Sequence, residues 1–330
     1  MKNNRIRSTG VNVTELTFGG GALGNLYTPI TDEEAEAAVE AAWTAGIRSF
    51  DTAPHYGLGL SERRMGKALS GRPRNDFVIS TKVGRLLVPN DEPKGLDPYF
   101  VVPATHRRLW DFTGDGVRRS VDDSLERLGL DRIDILYLHD PDDHWSDAVG
   151  SAFPALAEMR AQGMVGAIGV GMNQGEMLAK FVCETDVDIV MLAGRYTLLD
   201  QSALNDVLPL CAERGVAVLN VGVFNSGLLA TQNPQPGMRY DYTDAPAHLI
   251  ARACAIATIC ERYGSSLPAA ALQFGRSHPA VASTGFGAGT ANQVHRNCSL
   301  FDAEVPPDLW NALAADGLLV PPIGRDDGIG

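Results

Sequence analysis

Several things are missing from this chain of 330 residues, and each absence removes a class of function. No apolar run is long enough to span a bilayer, which argues against a membrane protein. Basic residues are outnumbered, giving a formal net charge of −12, and no basic patch is visible. A phosphate-binding surface needs one, so a nucleic-acid partner is not expected. Cysteine is scarce and scattered. Cys183, Cys211, Cys254, Cys260 and Cys298 form no CxxC pair, so they read as reduced packing residues rather than a disulfide framework or zinc site. MKNNRIRSTG at the N-terminus has basic residues but no apolar segment behind them, so no secretion signal is read and a cytoplasmic location is expected. There is no Gly/Ser linker, composition shift or internal repeat to divide the chain. With 45% hydrophobic and 21% charged residues, it reads as one domain over 1–330, a length that suits a single α/β barrel.

What is present is an alternation of short apolar runs and longer helical patterns. VTELTFGG predicts a strand, and Thr31-Asp-Glu-Glu34 a capping box that opens a helix through Ala45, closed by Gly46. IRSFD, DFVISTK, DRIDILYLHD, VGAIGVG, DIVMLA, VAVLNVG and AVASTGF supply seven more strands. Between them, helices are expected over SERRMGKALSG, GDGVRRSVDDSLERLGL, Ser146 to Gln162, Gln174 to Glu184, Leu204 to Arg214, Leu249 to Tyr263, Pro268 to Arg276 and Thr290 to Leu300. The strand interiors are nearly all apolar, as strands buried on both faces must be. Eight such units predict an α/β fold of the (β/α)8 TIM-barrel type, with the active site at the C-terminal strand ends. One segment, 83–113, rich in Pro and Gly, interrupts the alternation and reads as a long loop over the active site.

At the strand ends stand Asp51 and Tyr56 in SFDTAPHYG, then Lys82, His139 and Asn173, and finally the loop from Gly285. A tyrosine is a poor acid or base at neutral pH, but a neighbouring ammonium favours its ionised form. Lys82, held by a buried Asp51, is expected to tune Tyr56 in this way. A histidine can orient a carbonyl or hydroxyl beside it. That is the proton chemistry that hydride transfer requires, and the hydride itself requires a cofactor.

In that order, DTAPHYG, STK and LYLHDP resemble the Asp, Tyr, Lys and His tetrad of the aldo-keto reductases, from about Leu16 to Leu300. FGGGALGNLY, SFDTAPHYGLGLSERRMG, DGVRRSVDDSLERLGLDRIDILYLHDPDD and AGRYTLLDQ resemble, within that family, the bacterial L-fucose and D-threo-aldose 1-dehydrogenases. The same stretches are similar to plant L-galactose dehydrogenase and pyridoxal 4-dehydrogenase. The resemblance implies Tyr56 as acid/base, Lys82 and Asp51 as its tuning partners, and His139 as the substrate-orienting residue. It also implies oxidation of an aldose at the anomeric carbon to a lactone, with hydride passed to NAD(P); a general aldehyde or ketone reductase and a pyridoxal dehydrogenase are the alternatives.

The resemblance places the cofactor on Asn173, Gly222, Phe224, Ser226, Gly285, Gly287, Gly289, Thr290, Gln293 and Asn297. Met172 replaces the family's serine, Ala193 its glutamine, and Val221 its stacking aromatic, for which Phe224 is a substitute. GFGAGTANQVHRN is a Gly-rich loop entering a helix N-terminus, which suits anionic phosphates. Where many NADP-using relatives carry Lys and Arg, this chain has Gly287 and Gln293. NAD is therefore expected to serve at least as well as NADP. Tyr27, His55, Trp110 and Phe112 are the expected substrate contacts.

Two further readings compete. Gly19-x-Gly21-x-x-Gly24 matches a dinucleotide fingerprint, but the next helix starts only after Pro29, so it is read as a Gly-rich loop at the barrel mouth. HDPDDH suggests a metal-dependent hydrolase, yet it lacks ligand spacing and Pro141 turns the chain, so no metal is expected. A binding protein without catalysis is the third reading, disfavoured because all four tetrad positions are filled.

Overall fold

A computed structural model describes residues 1–320, so the last ten residues of the expected domain lie outside it. Eight parallel strands close into a barrel. They are β1 (Leu16–Gly19), β2 (Ser49–Asp51), β3 (Val78–Val83), β4 (Ile135–His139), β5 (Ala167–Met172), β6 (Ile189–Ala193), β7 (Ala217–Val221) and β8 (Val281–Gly287). β8 pairs back onto β1 through Thr284 opposite Leu16. All eight lie on the expected apolar runs. Helices α1 (Asp32–Thr44), α2 (Leu60–Leu69), α3 (Gly114–Leu128), α4 (Phe153–Ala161), α5 (Gly175–Glu184), α6 (Val207–Arg214), α7 (Ala247–Arg262), α8 (Leu267–Gly275), α9 (Ala291–Asp302) and α10 (Pro307–Ala315) surround them. The capping box is present: Thr31 accepts from the Glu34 N–H, and the Glu34 carboxylate accepts from the Thr31 N–H.

VTELTFGG is not one strand. Its first half, Asn12–Thr14, pairs antiparallel with Asn3–Arg5, and only Leu16–Gly19 joins the barrel. The Thr14 side chain causes the break, because its hydroxyl accepts from the Arg48 and Ser49 N–H groups and donates to the Leu16 carbonyl. The hairpin plugs the bottom of the barrel, packing Ile6, Val11 and Val13 against Ile135, Tyr137, Ile189 and Leu219. The barrel's lower half is thereby filled with hydrocarbon, and its polar side chains gather at the top.

The segment 83–113 is not a structureless loop. After Val83 it forms an antiparallel hairpin, Arg85–Pro89 with His106–Trp110. The expected helix from Ser146 also differs, with a π-helical turn at Ala148–Ala152 ahead of α4. Pro154 lacks the N–H that would bond four residues back, which suits a widened turn at that point. Cys211 and Cys260 are buried as expected of packing residues, but Cys183 and Cys254 are exposed. Among the described residues no helix is long and apolar enough to cross a membrane.

Candidate active site

Register sets the first layer of the site. Asp51 lies opposite Ser80 across β2 and β3, and side chains two apart on a strand share a face, so Lys82 emerges on the side of Ser80 and above Asp51. The Lys82 Nζ donates to Asp51 Oδ2 at 2.7 Å and to the Thr52 carbonyl at 2.9 Å. Ser80 Oγ donates to Asp51 Oδ1 at 2.7 Å. Burial alone would lower the Lys82 pKa, but Asp51 and the Tyr56 oxygen outweigh it and hold it above its ordinary value. Lys82 is therefore a fixed cation at the barrel mouth.

Tyr56 stands over this pair, its ring centroid 4.7 Å from the ammonium. Burial pushes its phenol above the usual range, and Lys82 pulls the other way without prevailing. Lys82 thus pulls towards the ionised form as expected, but burial outweighs it and the phenol is neutral on balance.

The glycines that imitate a dinucleotide fingerprint have another task. At Gly24 a Cβ would sit 2.6 Å from the Tyr56 carbonyl carbon, and at Gly57, whose φ is +61°, it would sit 2.4 Å from the Gly24 oxygen. The loop after β1 thus lies directly on the backbone of Tyr56, which only paired glycines allow. Gly24→Ala is expected to push the Tyr56 turn outward, lowering the melting temperature and reducing kcat more than cofactor affinity. Unchanged kcat in that variant would show that this contact does not position Tyr56.

His139 ends β4, buried, with its Nδ1 atom lacking a hydrogen-bond partner and its Nε2 3.6 Å from Asp140 Oδ2. Burial first, then Arg85 and Lys82, keep it well below the ordinary histidine pKa and hence neutral. Its ring lies 6.1 Å from Tyr56 and 5.6 Å from His55. The structure therefore brings Asp51, Tyr56, Lys82, His139 and His55 into one cluster.

Of the other expected substrate contacts, Tyr27 is partly exposed in the loop after β1, with the Arg239 guanidinium 4.5 Å above its ring. Trp110 is 43% exposed but has Arg85 4.3 Å above one ring and Phe112 stacked at 5.9 Å. Phe112 is only 3% exposed and fills the space a Cβ at Gly84 would need, so it supports Trp110 and offers no face of its own. Sequence reasoning missed Arg85, which pairs with Asp140, and Arg108, which pairs with Asp97 and His55. Both sit in the hairpin that had read as loop.

The expected cofactor positions follow β5, β7 and β8. Arg195 Nε donates to the Asn173 carbonyl at 2.8 Å and Nη1 to Asp241 at 2.9 Å. Asp241 belongs to a small hairpin, Arg239–Tyr240 with Thr243–Asp244, whose Tyr242 N–H is accepted by Ser226 Oγ at 3.0 Å. Gly222 approaches Gly194, Phe224 is partly buried, and Gly285 packs on Val221. Thr290 caps α9 by accepting from the Gln293 N–H, while Gln293 Oε1 accepts from the Gly289 N–H at 2.8 Å. Gly287 is exposed on this loop. Asn297 Oδ1 and both side-chain polar atoms of Asn225 are buried without partners. Such unmatched groups are costly unless a ligand completes them, and together with the capped helix they fit a nicotinamide dinucleotide. Among the described residues no group of three or more His, Cys, Asp or Glu could hold a metal, and His144 of HDPDDH packs at a tilt against the rings of Trp110 and Phe112.

Comparison with known proteins identifies the family. The chain is 49% identical to a D-threo-aldose 1-dehydrogenase of Pseudomonas over 96% of its own length and 97% of the relative's. It is 41% identical to pyridoxal 4-dehydrogenase of Microbacterium luteolum, over 94% and 96% of the two chains. Against L-galactose dehydrogenase of Arabidopsis thaliana the identity is 30%, over 88% and 85%. In fold it is similar to a holo aldo-keto reductase from Bacillus halodurans, with a TM-score of 0.75, 24% identity and 99% of each chain covered. The model of the aldo/keto reductase family matches residues 15–315, and the chain belongs to that family.

Proposed function

We propose that this protein oxidises an aldose at its anomeric carbon to the lactone, and that it uses NAD at least as well as NADP. The observation that carries this reading is the arrangement of charge around Tyr56. Each cation of the cluster is already paired: Lys82 with Asp51, Arg85 with Asp140, Arg108 with Asp97. Among the described residues this cluster leaves no unpaired cation beside Tyr56 for a phosphate or carboxylate, and it favours a neutral substrate that offers several hydroxyls. The relative at 49% identity, named for aldose oxidation, supports the same choice.

In this reading Tyr56 exchanges a proton with the C1 oxygen and His139 fixes that oxygen by a hydrogen bond. Lys82, held by Asp51, keeps its ammonium beside the phenol and pulls it towards the ionised form. Bound nicotinamide supplies the acceptor for the C1 hydride, so aldose and NAD yield lactone, NADH and a proton. Asn173, Gly222, Phe224 and Ser226 would hold the nicotinamide end, and Gly285, Gly287, Gly289, Thr290, Gln293 and Asn297 the diphosphate and adenosine end. No guanidinium or ammonium stands at Gly287 or Gln293 to pair a 2′-phosphate, and the Gln293 side chain is committed to its own loop.

A screen of L-fucose, L-galactose, D-arabinose, D-threo sugars and pyridoxal, each with NAD and with NADP, is followed by nicotinamide absorbance. An aldose is expected to be oxidised with a kcat/KM for NAD equal to or above that for NADP. Turnover of pyridoxal alone would replace the sugar reading, since pyridoxal 4-dehydrogenase is 41% identical. A lower KM and higher kcat with NADP would overturn the cofactor preference.

A further inference from the structure

His55 has an environment that a loop histidine beside a catalytic tyrosine does not require. The Arg108 Nε donates to its Nδ1, and Arg108 Nη2 donates to its own carbonyl at 3.0 Å. Asp97 in turn holds the guanidinium from the far side, at 2.6 Å to Nη1 and 3.0 Å to Nη2. Asp97 is itself fixed by the Tyr99 and Phe100 N–H groups, at 3.1 and 3.0 Å. The side chains of Asp97 and Arg108 are 2% and 12% exposed. A chain of three groups, two of them carried by the hairpin that follows β3, therefore ends on one ring nitrogen of His55.

An arginine N–H can only donate, so the Nδ1 atom that receives it must present a lone pair. The proton of the neutral imidazole is then on Nε2, which makes no hydrogen bond among the described residues. His55 is partly exposed at the mouth, and its ring lies 6.1 Å from Tyr56 and 5.6 Å from His139. Donors this far apart, each reaching about 3 Å, serve oxygens on neighbouring carbons of one small molecule.

We propose that Arg108, oriented by Asp97, is a positioning residue that locks His55 as the Nε2–H tautomer, so that His55 donates to a substrate oxygen on the carbon beside the reacting one. This deepens the polyhydroxylated-substrate reading and rests on it for the identity of that oxygen. A fixed donor accepts a hydroxyl or ring oxygen and rejects a cationic group at the same place.

Burial and the cations facing the ring keep it neutral. Arg108, Arg85 and Tyr99 face it from the hairpin, Tyr56 from its own turn, His139 from β4 and Lys82 from β3. Burial first, and then the cations Arg85, Arg108 and Lys82, lower its pKa to about 2. Without the Arg108 donor, Nδ1 is free to take a proton.

The test has two arms. Long-range proton–nitrogen NMR of the histidine rings reads the tautomer without any turnover. In the wild-type protein His55 is expected to stay the neutral Nε2–H form from about pH 5 to 8, and in Arg108→Met to stay neutral, since burial, Arg85 and Lys82 remain, but to populate the Nδ1–H tautomer as well. An unchanged Nε2–H tautomer in Arg108→Met would overturn the role of Arg108.

The second arm compares the best sugar with its analogue lacking the hydroxyl next to C1. His55→Phe is expected to raise KM for the parent sugar roughly fivefold to tenfold, the worth of one hydrogen bond. KM for the deoxy analogue should stay near its wild-type value, and His55→Gln, which keeps an N–H at the ε position, should recover part of the loss. Equal losses for both sugars would show a merely structural His55 and overturn the proposal. If no sugar is oxidised, the functional reading falls, while the NMR arm still decides the lock.

Discussion

Tyr56→Phe lowers kcat by about 10²–10⁴-fold, the range that a positioned general acid or base contributes, while the affinity for cofactor measured by fluorescence titration stays within error. Phenylalanine fills the same space over the Lys82 ammonium, 4.7 Å from the ring centre, so packing is retained and only the transferable proton is lost. The pH dependence carries a second expectation. Because burial, against Lys82, holds the Tyr56 phenol above its ordinary value, the neutral form dominates through the physiological range. Carbonyl reduction, which needs the phenol as donor, should be flat in this range and fall only as pH passes the raised pKa. Sugar oxidation needs the tyrosinate, and its kcat/KM should rise with pH across the same range. Turnover in Tyr56→Phe equal to wild type would leave a barrel that binds but does not catalyse through this residue. An oxidation rate independent of pH would put the base elsewhere.

The four residues of the cluster could be placed from the sequence because three of them close apolar runs and Tyr56 follows the first on a short turn. Asp51, Lys82 and His139 are strand-end residues in a chain whose eight strands announce a barrel, and the barrel rule brings strand ends together. Arg85, Asp97 and Arg108 were not legible. HRRLW and RLLVP pair only with each other, across a stretch of Pro and Gly that hides the alternation, so the hairpin has no local signature. Its absence from the sequence reading had a chemical consequence. Phe100, part of that hairpin segment, packs on Tyr56 with ring centroids 6.0 Å apart, and burial of this kind outweighs Lys82 in setting the phenol's pKa. Lys82 does pull the phenol towards its ionised form, as the sequence implies, and the burial that outweighs it comes from a segment the sequence pattern does not show. The same holds at Thr14, where one hydroxyl bonded to the Arg48 and Ser49 N–H groups divides an apparently continuous strand. Long-range pairing, rather than propensity, decided each of these positions.

The second large effect is expected at Lys82 and Asp51, whose side chains are 2% and 6% exposed. Lys82→Met leaves the Asp51 carboxylate in the barrel with Ser80 Oγ as donor, and Asp51→Leu leaves the ammonium with the Thr52 carbonyl and the Tyr56 phenol but no anion. Removing one partner of a buried pair strands an uncompensated charge, at a cost of about 3–5 kcal/mol. Each single variant should therefore lose that much stability in denaturant unfolding at neutral pH. The double variant, two apolar side chains of suitable volume, should lose far less than the sum, since neither charge then needs a partner. Activity should stay lost in all three variants, because the phenol of Tyr56 no longer has its cation. The sign of the pH dependence follows from the raised Lys82 pKa. Its contribution to stability is fully present below the ordinary lysine value of about 10.4 and is lost as pH rises through the folded-state value. The stability gap between wild type and Lys82→Met should accordingly be constant from pH 7 to about 10 and shrink above it. A double variant less stable than either single one would mean that the pair holds the barrel mouth together. A stable and inactive double variant means that the two buried charges serve the proton on Tyr56 rather than the fold.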